Sequence, residues 1–166
     1  MRRLFGDRKV LDVGCGIGRN LAHLAPRGVG VDHNGHSVQV CRQRGLVAFG
    51  TEEFRGTEYA RHGRFGGLLA AHLIEHLPPD DAVAVLAGYL PYLAPGGIVV
   101  FICPQERGYA TDPTHVSFTD FDGLANVTAQ LGLTERQRFS FPLPRMAGKL
   151  FAYNEFTLVA VKPELG

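Results

Sequence analysis

Near the start of the chain, Lys9-Val10-Leu11-Asp12-Val13 runs directly into a segment with glycine at positions 14, 16 and 18. No other feature restricts the possible folds as much. A short, largely apolar run bounded by glycine predicts a strand buried on both faces. Alternating glycines let the backbone bend sharply and let a ligand approach without interference from Cβ atoms. A helix that opens after such a bend aims free N–H groups at an anionic group. In open α/β sheets, ligands bind outside the carboxyl ends of the strands, where this bend would lie.

The rest of the chain repeats the same unit. Residues 19–26, with Leu21, Ala22, Leu24 and Ala25, predict a helix stopped by Pro26 and Gly28. Val29-Gly30-Val31 predicts a second strand closed by Asp32, and residues 35–44 a helix capped by Gly45. Residues 46–49 predict a third strand, the polar segment 51–62 a short helix with loops, and residues 65–71 a fourth strand. Asp80 and Asp81 open a helix whose apolar positions are Val83, Leu86, Leu90 and Leu93. Pro95-Gly96-Gly97 predicts a turn before a fifth strand over 98–103. After a long loop, residues 119–131 predict a helix with Thr119 as N-cap and Asp122 at N3. Residues 134–141 and 155–161 alternate as two final strands.

Strand–helix alternation predicts a parallel sheet with helices on both faces. The last two strands are joined by residues 142–153, whose two prolines and glycine disfavour a crossover helix, so antiparallel pairing is expected there. The expectation is a single α/β domain over residues 1–166, with a mostly parallel seven-stranded sheet and an antiparallel C-terminal edge. At 166 residues such a domain buries roughly two-thirds of its unfolded surface. With 45% hydrophobic and 20% charged residues the chain is globular rather than disordered.

Charge and cysteine usage exclude some partners and suggest a compartment. The net charge of +1 carries no basic footprint for duplex nucleic acid. Cys15, Cys41 and Cys103 are few, odd in number and widely spaced, so neither a disulfide framework nor a zinc ribbon is expected. The charged segment Met1-Arg2-Arg3 is followed by no apolar signal-peptide region, and apolar runs such as 97–103 are too short to span a bilayer. A cytoplasmic location is the resulting expectation.

A dinucleotide fingerprint would put its third glycine at position 19, which is Arg19 here, so a nicotinamide-dependent oxidoreductase is disfavoured. Asp12 also places a carboxylate just before the bend, which suits a ligand carrying positive charge. Residues 10–18 together with Asp32, the segment His72-Leu73-Ile74-Glu75-His76-Leu77 and the turn Leu93-Ala94-Pro95-Gly96-Gly97 resemble the class I S-adenosylmethionine-dependent methyltransferases, in the bacterial small-molecule group. The resemblance covers roughly residues 9–161 and implies a Rossmann-like fold with S-adenosylmethionine as cofactor. It implies that Asp32 grips both ribose hydroxyls, as a carboxylate able to accept two hydrogen bonds can. It further implies that Asp12 supports the loop and the methionine moiety, that Gly14, Cys15, Gly16 and Gly18 form the cofactor bend, and that His33 packs beside the adenine. The family often has an acid directly after strand three; here Thr51 stands there, followed by Glu52 and Glu53, one of which substitutes. Where the family often has Phe-Asp at the start of strand four, this chain has Phe65-Gly66.

His72, Glu75 and His76 also spell H-x-x-E-H, an inverted zinc-protease signature. That signature needs a longer helix than Pro78-Pro79 permits, and a third ligand would have to come from Glu135, Glu155 or elsewhere. No metal site is expected, and His72 is read as lining the methyl-donor pocket. Residues 104–115 form a loop long enough to be functional, at the carboxyl end of strand five. His115 and, second, His72 are candidate general bases. Glu106, Tyr109 and His115 are candidate substrate contacts. Arg136, Arg138, Arg145 and Lys149 read as a solvated face.

Methyl transfer to an oxygen of a small molecule is the expected activity. The alternative is an S-adenosylmethionine-binding module without turnover. Strand one begins at about residue 9, without the cap helices many relatives place before it. An open crevice is therefore expected, closed by residues 104–118 and 142–152, by a second subunit in a homodimer, or not at all.

Overall fold

The computed structural model describes residues 2–164. In chain order its elements are α1 (Arg2–Phe5), β1 (Val10–Val13), α2 (Arg19–Leu24), β2 (Gly28–Asp32), α3 (Gly35–Gln43), β3 (Ala48–Gly50) and α4 (Thr51–Arg55). They continue as β4 (Phe65–Ala71), α5 (Pro79–Tyr89), β5 (Leu93–Pro104), α6 (Glu106–Tyr109), α7 (Phe121–Gln130), β6 (Thr134–Phe141) and β7 (Glu155–Val161).

The strands form one seven-stranded sheet in the order β3-β2-β1-β4-β5-β7-β6. β1 pairs in parallel with β2 and β4, β2 with β3, and β4 with β5. β7 is antiparallel to both β5 and β6. This is the Rossmann-like sheet with an antiparallel C-terminal edge. The strand order reverses between β1 and β4, and the crevice at such a point is where open α/β sheets bind ligands.

Side chains alternate across the sheet with period two. Leu11, Val13, Val29, Val31, Leu68, Ala70, Val99 and Phe101 face one way and pack with Phe54 of α4, Leu86 of α5 and Leu124 of α7. Val10, Leu69, Ala71, Val100 and Ile102 face the other way and pack with Phe5 of α1 and Leu24 of α2. Gly30 of β2 lies on this second face because α2 leans into it: a Cβ there would sit 2.6 Å from Cys15 Sγ and 2.8 Å from Leu21 Cδ2.

Several expected boundaries move. The helix expected over 119–131 is α7, and its N-cap is Asp120 rather than Thr119, with Asp120 Oδ1 accepting from the N–H groups of Asp122 and Gly123. Leu93 belongs to β5 rather than to the preceding helix, because Phe65 already pairs with it. Pro95-Gly96-Gly97 is an irregularity inside that strand, since Gly67 next pairs with Ile98. α1 was not anticipated. Its Phe5 is 1% exposed and lies over Gly67, where a Cβ would come within 2.5 Å of the ring.

Candidate active site

The glycine bend leaves β1 through three left-handed residues, Gly14 (φ 74°), Gly16 (φ 52°) and Gly18 (φ 85°). Neighbouring strands pin it. The N–H groups of Gly14 and Cys15 both donate to the Val31 carbonyl, at 2.8 and 3.1 Å. The Gly16 N–H donates to Asp32 Oδ2 at 2.7 Å, and the Asn34 N–H donates to Asp32 Oδ1 at 2.8 Å. Asp32 is therefore a clamp at the tip of β2, 7% exposed, with each oxygen accepting one backbone N–H and retaining a second lone pair.

Asp12 lies mid-strand in β1, 1% exposed, and its Oδ2 has no hydrogen-bond partner. Burial first, and then the negative charge of Asp32, push its carboxyl up from 3.8 to about 7. An unpartnered buried carboxyl group costs folding free energy, and such groups call for a functional explanation. Asp12 lines a cavity of about 380 Å³ together with Gly14, Cys15, Gly16, Asn20, Ser37, His72 and His76. Gly16 offers its open side: a Cβ there would meet nothing within 4 Å. The space and the lone acceptor suit a ligand carrying a cationic group.

Of the residues expected to touch the cofactor, Asp12, Gly14, Cys15, Gly16 and His72 line this cavity, whereas Gly18, Asp32, His33, Thr51 and Glu52 do not. Gly18 is the N-cap of α2 and is packed from behind, since a Cβ there would sit 2.6 Å from Leu46 Cδ1 and 2.9 Å from Cys41 Sγ. The His33 side chain is exposed, with Nδ1 3.6 Å from Asp32 Oδ1. Thr51 opens α4, and Glu52 is exposed and paired with Arg55. Neighbouring Glu53 reaches back to the Gly50 N–H and binds Arg42. Asn20 and Ser37 were not anticipated. Their signal was position alone, just after the bend and one turn into α3.

β4 ends abruptly at His72, whose φ of 55° lies in the left-handed region that a non-glycine residue rarely adopts. Its Nδ1 is 3.1 Å from Glu75 Oε1 and its Nε2 is 2.9 Å from Glu155 Oε1. Burial alone would lower its pKa, but the hydrogen bonds to Glu155 and Glu75 outweigh that and hold it at about 9. This corrects the reading of His72 as a base: both ring nitrogens already donate to carboxylates, so neither offers a lone pair to a substrate proton. Glu155, missed as its partner, lies 83 residues away in sequence. A second cavity, of about 670 Å³ and lined by Phe139 and Phe141, shares Asn20 and His72 with the first.

A single 3₁₀ turn over Ile74–His76 follows, and Glu75 within it is fully buried with Oε2 unpartnered. The Glu75 carbonyl accepts the N–H groups of Val116 and Ser117, at 2.8 and 3.2 Å, which brings the long loop after β5 against this turn. His115 thereby reaches His76, with ring centroids 4.7 Å apart. His115 Nδ1 donates to the Tyr109 carbonyl at 2.8 Å, and Tyr109 stacks on the imidazole. Nε2 of His115 is the nitrogen left with a lone pair. Glu106 forms a two-pronged ion pair with Arg145, and that pairing holds its carboxyl below the ordinary range. Glu106 therefore fastens the loop after β5 to the segment before β7, which also removes Arg145 from the solvated face expected for it.

A doubly wound sheet with a glycine bend, a clamping acid on the next strand tip and a cavity at the switch point defines the class: a Rossmann-like methyltransferase. The chain belongs to the methyltransferase domain family, whose model matches residues 10–97. Comparison with curated protein sequences gives no significant match. Among solved structures, the fold resembles an S-adenosylmethionine-dependent methyltransferase from Archaeoglobus fulgidus at a TM-score of 0.75 and 19% identity, covering 96% of this chain and 88% of that one. It resembles a putative methyltransferase from Haloferax volcanii, seen in complex with the activator Trm112, at 0.73 and 17% identity, covering 96% and 84%. A possible histamine N-methyltransferase from Thermotoga maritima matches at 0.72 and 16% identity, covering 97% and 85%. Among the described residues, no helix is long and apolar enough to cross a membrane.

Proposed function

We propose that this chain transfers the methyl group of S-adenosylmethionine to an oxygen of a small molecule. The observation that carries the reading is Asp12: a buried carboxyl group with a free acceptor, on the wall of a cavity that opens beside Gly16. That donor carries an ammonium and a sulfonium, and a site prepared for a cation fits it. Asp12 and the bend would hold its methionine end, Asp32 its ribose hydroxyls through the remaining lone pairs, and His33 with Thr51 or Glu52 its adenine.

When bound, the donor supplies a methyl group on a positively charged sulfur, which leaves as a neutral thioether with the electron pair. The electrophile needs no further activation, so the work of the protein is alignment and exclusion of water. Alignment of this kind is worth roughly 7–11 kcal/mol of barrier. An acceptor hydroxyl must lose its proton as the new C–O bond forms. His115 is the histidine assigned to acceptor activation, with Tyr109 fixing its ring and Glu106 holding the loop that carries it.

Thermal-shift and calorimetric titrations with S-adenosylhomocysteine, S-adenosylmethionine and NAD⁺ test the donor. Stabilisation by the two adenosyl compounds but not by NAD⁺ is expected. Failure of S-adenosylhomocysteine to bind would sink the reading. Turnover against a panel of hydroxyl compounds then separates an enzyme from a binding module.

A further inference from the structure

We propose that Glu75, His76 and His115 hold a divalent transition-metal ion. The ligand atoms these three residues offer all lie within 4.8 Å of one another. Glu75 is fully buried, its Oε1 is taken by His72, and its Oε2 has no partner. A buried carboxylate oxygen without a donor, beside two imidazoles, is the arrangement a cation would complete.

The surroundings prepare both imidazoles as ligands. His115 Nδ1 donates to the Tyr109 carbonyl at 2.8 Å, and His76 Nδ1 lies 3.3 Å from the Thr114 carbonyl and 3.1 Å from its Oγ1. Metal-ligating histidines almost always engage their other nitrogen in this way, which fixes the tautomer and leaves the ligating lone pair on Nε2. The bonds from Val116 and Ser117 to the Glu75 carbonyl fix the loop of His115 to the turn that carries the other two.

Two imidazoles and one carboxylate favour Zn²⁺, Mn²⁺ or Fe²⁺ over Mg²⁺, which prefers an all-oxygen shell. Ligand atoms about 2.1 Å from such an ion stand roughly 3–3.5 Å apart, so the three need to draw in by about an ångström. Three protein ligands leave coordination positions open, and His76 also lines the donor cavity. A bound ion there supplies a Lewis acid that makes an acceptor hydroxyl easier to deprotonate. This last role rests on the proposed methyl transfer and makes the contribution of His115 one of ligation rather than proton abstraction; the metal site itself does not depend on it.

The test uses the whole chain, stripped with a chelator and titrated calorimetrically with Zn²⁺, Mn²⁺ and Mg²⁺, with Co²⁺ absorption as a spectroscopic readout. One Zn²⁺ per chain is expected, weakened at least tenfold by Glu75→Gln and by His115→Ala and unchanged by His62→Ala. S-adenosylhomocysteine binding by the metal-free protein and by each variant is measured alongside. It reports folding and keeps failure of the metal site distinct from failure of the donor reading. Absence of saturable Zn²⁺ binding, equal binding by both ligand variants, or uptake of Mg²⁺ in preference to Zn²⁺ would overturn the proposal.

Discussion

Asp32 Oδ2 accepts the Gly16 N–H at 2.7 Å, which ties the glycine bend to the tip of β2 through one carboxylate. The other oxygen holds the Asn34 N–H, so the acid serves the bend and the start of α3 together. Asp32→Asn keeps the shape but turns one of the two acceptors into a donor facing an N–H. We expect a loss of about 1–3 kcal/mol in stability by denaturant titration. Calorimetry should show S-adenosylhomocysteine affinity falling at least tenfold. Near-wild-type affinity would show that the clamp has no part in binding.

The three glycines of the bend should fail in different ways. At Gly18 an added methyl meets Leu46 and Cys41, and at Gly14 it comes within 2.9 Å of Leu73 Cδ1, both at positive φ. Gly14→Ala and Gly18→Ala are expected to cost stability first, about 1–3 kcal/mol each from backbone strain and overpacking. Gly16→Ala meets no protein atom, so it should cost only about 1 kcal/mol yet reduce donor binding more than the other two when affinity is compared at equal folded fraction. The reverse order would remove Gly16 from the binding surface.

Asp12 makes a pH prediction whose sign is fixed by burial. Its carboxyl titrates at about 7 in the folded chain against 3.8 when unfolded, so between those values the folded state holds more protons. Stability contributed by this group is therefore greatest in acid and falls as pH rises from about 4 to about 7. Asp12→Asn should flatten that part of the profile and raise stability by a few kcal/mol at pH 8, while weakening binding of the cationic donor. Chemical denaturation of both proteins across pH 4–8 checks it. Parallel profiles would mean that Asp12 is already compensated.

Where the chemistry was local, the sequence was readable. The apolar run at 65–71 and the alternating segments 134–141 and 155–161 are strands at those same residues, because burial and period two are written directly into them. The bend was readable because left-handed backbone demands glycine. His115 beside Glu75 and His76 was not: the three meet only because the Glu75 carbonyl captures two amides some forty residues on, and no spacing rule encodes that contact. The same holds for His72, whose second carboxylate arrives from the start of β7, two strands over in the sheet and 83 residues away in sequence. Thr119 lost the N-cap to Asp120 because both are good caps one residue apart, and only the direction of the loop decides between them.

α1 escaped notice because a single turn is too short to announce itself through periodicity or propensity. Its trace in the sequence is a missing side chain elsewhere: Gly67, in the middle of β4, leaves the space that the Phe5 ring occupies. Phe5→Ala should therefore cost about 3–5 kcal/mol. S-adenosylhomocysteine affinity, measured well below the unfolding midpoint, should not change, because the ring lines no part of the cavity beside Asp12 and Gly16. Gly67→Ala alone should also destabilise, since its Cβ would come within 2.5 Å of the ring. Combined with Phe5→Ala, the added methyl falls into the vacated space, and the double variant should lose clearly less than the sum of the two single losses. Strictly additive losses would show that the two residues do not touch, and that the first turn of the chain is not seated on the sheet.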